Sequence, residues 1–580
     1  MNAKCHIIQR RIEAAQGRIP ADLVIKNCHI VNVYTQTITK GDIAIIDGYI
    51  AAVGGSYEGR TIWDGHGAYA APGLIESHIH IESSYVSPEE FGRLLVPLGT
   101  TTAIADPHEI VNVCGLDGLS YMIEAAKQTA MDIRYMVPSC VPATGFDHSG
   151  AVLHAPELYA PLHDMATAGL GEFMNYPGVL AGDADCIEKI VAAQDAHKMI
   201  DGHSPGLHGQ GLQAYIGAGI ATDHECASVE DVIERIAAGM YVMLRNGSAC
   251  HDLPRLIQAV TPATLRRFLL CSDDLHPHTI TAKGHLNEHL RLCVQHGLSP
   301  AAAITMATLN PAECYHLTDR GALAPGKRAD IVLFEDVQQF KAQAVWIAGQ
   351  LAGEKGMYIP PFTRTDYNQV RSTIHINDFS MEKLCMHLKS NHVHTIDIIP
   401  GSVVTKKGIA DIMLDGQGDF VYNPHEDIVK VAVVERHHGT GNVGLGLLRG
   451  YGLKRGAVAV SIAHDSHNII TAGTNNADMA AAVRELEQQE GGMVVIQDGC
   501  VLASIPLPIA GLMSDQSGDW VDEQMAGLYK IGYQMLGIHE QVDVIMTLCF
   551  MSLPVIPAIK LMDTGLFDVE SFSFISIEAD

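Results

Sequence analysis

The sequence predicts an α/β protein: a (β/α)8 TIM-like barrel, a split β-sandwich domain supplied from both sides of it, and an additional C-terminal α+β domain. Three observations carry this prediction. The middle of the 580-residue chain holds successive apolar runs, each ending in polar or ionisable residues. Strand-rich stretches of similar character flank that middle on both sides. A proline-bearing linker then opens a long remainder with its own strand and helix patterns.

At the N-terminus, MNAKCHIIQRRIEAAQG lacks the continuous apolar core of a signal peptide. DLVIKNCHIVNV and GDIAIIDGYIAAVG read as short strands with Gly and Asp at their turns, so residues 1–70 form the N-terminal half of the β-sandwich. Residues 71–318 contain GLIESHIH, TTAIADPHE, IRYMVPSC, AGLGEFMNY, KMIDGH, GIATDHE, YVMLRNGS and FLLCSDD, with amphipathic stretches such as SVEDVIERIAAG between them. Eight such βα units in about 250 residues give the period and size of a TIM barrel, whose active site lies at the C-terminal ends of the strands. GKRADIVLFE and QAVWIAGQL supply the return strands of the sandwich over residues 319–360. After the linker PPFTR, residues 361–580 form the C-terminal α+β domain, with strands such as VKVAVVE and GMVVIQDG.

Composition narrows the function. A formal net charge of −28 makes nucleic acid an improbable main partner, because such binding depends on clustered Lys and Arg. Hydrophobic residues at 47% and charged residues at 18% describe a well-cored globular protein. The most apolar stretch, residues 544–559, is shorter than the ~20 residues of a membrane span and contains Pro554 and Pro557, so it reads as buried core. No membrane partner is expected. Thirteen cysteines without a Cys-x-x-Cys point to reduced thiols and a cytoplasmic location. The Asn246-Gly247-Ser248 sequon then carries no glycosylation. Thirty histidines are the anomaly.

The first barrel strand ends His78-Ile79-His80, and residues i and i+2 of a strand face the same side. Strand four ends at Glu172, strand five at His203, strand six at His224 and strand eight at Asp273. Four histidines and two carboxylates on one rim could hold two divalent ions with a carboxylate bridging them. Two cations sharing a water would make it a hydroxide near neutral pH. Asp273 could ligate a metal, take the hydroxide proton and pass it to a leaving amine. Nitrogen and oxygen ligands without thiolate allow Mn²⁺, Fe²⁺ or Zn²⁺.

This order of ligands resembles the amidohydrolase superfamily, and residues 22–351 match its layout. Within it, SHIHIESS, DPHEIVNVCG, MNYPGV, DGHSPGL, SDDLHP, AHDSHNII and LPIAGLMS together resemble the adenine deaminase family, over residues 77–514. The resemblance implies hydrolysis of adenine to hypoxanthine and ammonia by a binuclear centre, Mn²⁺ or Fe²⁺ in preference to Zn²⁺. Glu172 stands where many superfamily members carry a carboxylated lysine, which fits this family. Glu82 occupies the position where dihydroorotase-like relatives place an arginine. An acid there would reject carboxylates and accept purine N–H donors, or would instead orient a metal-binding histidine.

Glu82, Ser84 and Asp274 are the expected substrate-binding residues. Asp273, Glu82, His108 and Glu109 are the expected catalytic ones, with His108 and Glu109 ending strand two as candidates for proton delivery to a ring nitrogen. The expected assembly is a homo-oligomer, a dimer. His464-Asp465-Ser466-His467-Asn468 reads as an interface hydrogen-bond network or as a cap on the barrel mouth.

Several motifs are decoys. His80-Ile81-Glu82 has no P-C-x-x-C to complete a zinc deaminase site. His285-Leu286-Asn287-Glu288-His289 has an inverzincin form but falls on an expected outer helix. The glycines from Gly439 to Gly450 read as a flexible loop in preference to a dinucleotide site. A cyclic-amide hydrolase of the dihydroorotase or hydantoinase kind is the alternative enzyme. A scaffold that has lost its ligands is the non-catalytic alternative.

Overall fold

The computed structural model describes residues 3–579. It opens with a helix, Ala3–Ala15, which buries Ala14 against Ile46 and Ala51 of the following strands. The flanking strands then join in one hydrogen-bonded sheet of nine. Tyr69–Pro72 runs parallel to Ala21–Asn32 on one side and antiparallel to Ile331–Phe334 on the other. The two halves expected from sequence are thus consecutive strands of one ladder. Ile25, Ile30 and Ile43 from the first half and Leu333 and Trp346 from the second share its core.

Parallel strands make the middle of the chain. One sheet runs in the order Met199–Gly202, Thr167–Phe173, Asp132–Val137, Thr100–Ala105, Leu74–His80 and Asp273–Asp274. A second runs Thr222–Asp223, Tyr241–Arg245 and Phe268–Cys271. Only Ser272 separates the last strand of the second from Asp273–Asp274 of the first. At the other edge the Ala221 amide donates to the Ile200 carbonyl at 3.0 Å. The result is a curled parallel α/β sheet. Every residue of Leu74–His80 and of Thr100–Ala105 is buried, as strands covered on both faces must be.

Helices cover the outside. Val229–Ala237 begins at a capping box of Ser228 and Asp231, which satisfies amides left free at a helix start. Its Arg235 reaches the buried Asp223 at 2.6 Å, tying the helix to the short strand before His224. His285 and His289 lie beside and on the helix Leu286–Gln295, where His285 faces Glu76 at 2.8 Å; they build no metal site with Glu288.

The C-terminal region centres on an eight-stranded sheet. Its strand Ile428–Val434 obeys a two-residue period: Val431 and Val433 face the core shared with the parallel sheet, while Ala432 and Val434 face the helix Asn476–Gln488. The glycine run departs from the expected loop. The loop ends at Asn442, and Val443–Arg449 is a strand between His392–Ile398 and Ile428–Val434. Gly444 is required there, because a Cβ would sit 1.9 Å from the Met562 carbonyl oxygen.

No helix among the described residues is long and apolar enough to cross a membrane. The segment 544–559 is only partly the buried core expected. Val544, Ile545 and Leu548 are core, but Phe550 and residues 555–557 border the cavity described next.

Candidate active site

His78 and His80 leave the strand Leu74–His80 on the same face, with their Nε2 atoms 3.2 Å apart. Glu172, near the end of Thr167–Phe173, with two strands between in the same sheet, meets them from across the rim. Its Oε1 lies 3.2 Å from His80 Nε2 and 3.9 Å from His78 Nε2. Its Oε2 lies 2.7 Å from His203 Nδ1 and 3.3 Å from His224 Nε2. One carboxylate therefore divides its oxygens between two pairs of imidazoles. Asp273 closes the circle, with Oδ1 3.1 Å from His80 Nε2 and 3.5 Å from His78 Nε2.

Local structure explains why these groups converge. Asp273 pairs with Ile79 in the parallel ladder and sits at φ 64°, a left-handed conformation that Asp tolerates better than most residues. His80 is oriented from behind by the Asp106 carbonyl, 2.9 Å from its Nδ1. The Glu172 amide donates to Asp106 Oδ2 at 2.8 Å, which fixes the strand end that presents Glu172. Burial pushes Glu172 upward, but its bonds to His203, His224 and His80 dominate and hold it well below the usual carboxylate range.

The cavity above this rim has a volume of about 200 Å³. Asp273, Asp274, His108 and Glu109 line it, whereas His78 is fully buried beneath. The opposite wall belongs to the C-terminal region: Val403, Val404, Phe550, Leu553 and residues 555–557. His464 and Asp465 of the AHDSHN segment also line the cavity. His464 Nδ1 lies 2.7 Å from Glu109 Oε1, and His467 Nε2 contacts the other oxygen.

Two expected substrate-binding residues do not line this cavity. The chain after His80 is not extended but turns into a 3-10 helix, Ile81–Ser84. Glu82 is buried in a small void shared with Glu109, His464 and His467, and its Oε1 accepts from the Ile110 amide at 3.1 Å. Burial, with the Glu109 charge adding, pushes its carboxyl up to about 7. Ser84 is corrected outright: it has no exposure, and its hydroxyl donates back to the Ile81 carbonyl. The neighbouring Ser83 instead donates to Asp274 Oδ1.

Arg245 was missed by the sequence reading. It ends Tyr241–Arg245, donates to Asp273 Oδ2 at 2.8 Å, and bonds Glu225 and Asp252 as well. Its signal was its place in the run YVMLRNGS, at the same rim as the ligands.

The amidohydrolase family model matches residues 69–352, and the adenine deaminase C-terminal domain model matches residues 402–573. The chain is 54% identical over 572 residues to adenine deaminase 2 of Desulfotalea psychrophila, spanning 99% of both chains. It is 50% identical over 569 residues to adenine deaminase of Ligilactobacillus salivarius, spanning 98% of both. It is 43% identical over 578 residues to adenine deaminase of Geobacillus kaustophilus, spanning 99% of both.

Proposed function

This chain belongs to the adenine deaminase family of amidohydrolases, and from that premise we propose how its rim cavity hydrolyses adenine to hypoxanthine and ammonia. The observation that carries the proposal is the division of Glu172: one oxygen faces His78 and His80, the other His203 and His224. Six nitrogen and oxygen donors converge there without a thiolate, a donor set that fits two divalent cations bridged by a carboxylate. His78, His80, Glu172, His203, His224 and Asp273 would hold them. Mn²⁺ or Fe²⁺ is the proposed metal, and Zn²⁺ is compatible with the same donors. When bound, the metals supply the Lewis acidity that brings the pKa of a water down towards neutrality.

The protein's own groups do the rest. Arg245 occupies Asp273 Oδ2 and leaves Oδ1 turned to the rim, where it accepts the proton of the attacking water. The same oxygen returns a proton to the exocyclic nitrogen as ammonia departs. His108 lines the cavity, where its Nε2, 3.7 Å from Glu109 and 3.8 Å from Asp465, would serve a ring nitrogen. Glu109 ties the His464 segment down beside it. Glu82, behind Glu109, acts on that pair and not on the substrate directly. Asp274 gives one oxygen to Ser83 and offers the other to a purine N–H. The apolar wall around Phe550 suits the faces of a flat base.

The proposal extends to architecture. The two parallel sheets would close as one eight-stranded barrel over residues 71–318, with Phe268–Cys271 and Asp273–Asp274 counted as one interrupted strand, flanked by sandwich halves at 1–70 and 319–360 and followed by a domain at 361–580. A cytoplasmic setting belongs to the proposal, argued from thirteen cysteines with no Cys-x-x-Cys among them. A homodimer completes the proposal, tested by light scattering.

The test of function is ammonia release by the metal-replete protein across purines and pyrimidines, with dihydroorotate and a hydantoin beside them. Conversion of adenine to hypoxanthine supports the proposal. Ring opening of a cyclic amide without adenine turnover overturns it.

A further inference from the structure

The apolar wall of the cavity is built from two stretches of chain, residues 403–404 and 550–557, and one side chain outside the cavity joins them. Lys560, on the strand Ile559–Met562, is completely buried. Its Nζ donates to the Val403 carbonyl at 2.9 Å and to the Phe550 carbonyl at 2.8 Å. Both of those residues line the cavity, and Lys560 does not. The far end of the second stretch is tied at the same place. The Thr405 amide donates to the Pro557 carbonyl at 3.0 Å, and its hydroxyl to the Ile559 carbonyl at 2.8 Å.

A lysine buried without an acid is costly, and such residues are seldom found without a reason. The acid on the facing strand, Asp568, is engaged by Lys407. Burial alone pushes the Lys560 amine down to about 7. The neutral amine has two N–H groups, which equals the number of carbonyls it serves. Without it the buried Phe550 carbonyl and the half-buried Val403 carbonyl would lose the donor they share, and the wall would be free to move away from the polar floor.

We infer that Lys560 is a positioning residue for adenine: by bridging the Val403 and Phe550 carbonyls it holds the apolar wall against the base. It touches neither the substrate nor the rim donors, so its loss acts on binding and not on proton transfer. The inference rests on adenine being the substrate of this cavity.

The experiment compares wild type, Lys560→Met and Thr405→Val as holoenzymes, with Lys430→Met as control. Lys430 is also a buried lysine of this region, donating to the Leu384 carbonyl at 2.7 Å and to Asp419, but it serves no cavity residue. The expected result is a KM for adenine raised about fivefold or more in Lys560→Met, with kcat within about twofold. Metal content per chain stays at the wild-type value. Thr405→Val moves KM in the same direction, and reads the same wall should Lys560→Met not fold. Lys430→Met loses thermal stability without a change in KM. Wild-type KM in folded Lys560→Met and Thr405→Val, or the same kinetic change in Lys430→Met, overturns the inference. A wild-type protein inactive on adenine overturns the proposed function itself, which separates the two failures.

Discussion

Glu172 serves two histidine pairs at once, and a neutral amide cannot replace both halves of a bridging carboxylate. Glu172→Gln is therefore expected to bind less metal per chain and to lose turnover, read by elemental analysis beside steady-state kinetics. Asp273→Asn separates two roles, because Asn keeps an oxygen but cannot accept and return a proton. It should retain much of its metal and lose at least about a hundredfold in kcat, within the range of general acid–base catalysis. Asp274→Asn should mainly raise KM. An active Asp273→Asn beside an inactive Asp274→Asn would exchange these assignments. Lys560 gives a pH dependence: an ordinary lysine in the unfolded chain titrates near ~10.4, whereas the buried one titrates at about 7. Between those values the unfolded chain binds more protons, so the stability contributed by this group rises with pH. The Tm difference between wild type and Lys560→Met should grow from pH 7 towards pH 10, and a flat difference would contradict the burial argument. Side chains such as His78 and His224 were legible because few residue types can ligate a cation and they recur at strand ends. Arg245 was not, since a lone arginine at a strand end also reads as ordinary solvated charge.

Among the elements, the strand Thr222–Asp223 is the shortest support beneath a rim histidine, and it is held by the buried Asp223–Arg235 pair. Arg235→Met would leave Asp223 charged and unpaired in the core. The expected loss is about 3–5 kcal/mol in urea unfolding, the usual consequence of removing one partner of a buried pair. A loss under about 1 kcal/mol would mean that His224 is held by other contacts. The helix carrying Arg235 was legible in SVEDVIERIAAG, where capping and amphipathic period agree. The turn at Ile81–Ser84 was not, because it is imposed by the rim, with Glu82 accepting from Ile110. Likewise the strand Val443–Arg449 was hidden by its glycines, of which Gly444 is required by close packing against Met562, a contact distant in sequence.

The whole molecule joins a polar floor made by parallel strands to an apolar wall made by the C-terminal region. Sequence periodicity carried the parallel strands and the return of the flanking strands, because both rest on local burial patterns. It could not carry the wall, since residues 403, 550 and 556 meet only through tertiary packing. The central claim is that a pair of divalent cations on this floor, bridged by Glu172, deaminates adenine. The most direct test is to deplete the purified protein of metal, add Mn²⁺ or Fe²⁺ stepwise, and follow adenine conversion to hypoxanthine against bound metal per chain. The account predicts that turnover is absent in the depleted protein, rises with loading and reaches its limit at two ions per chain. Full turnover in the depleted protein, or saturation at a single ion, would contradict it.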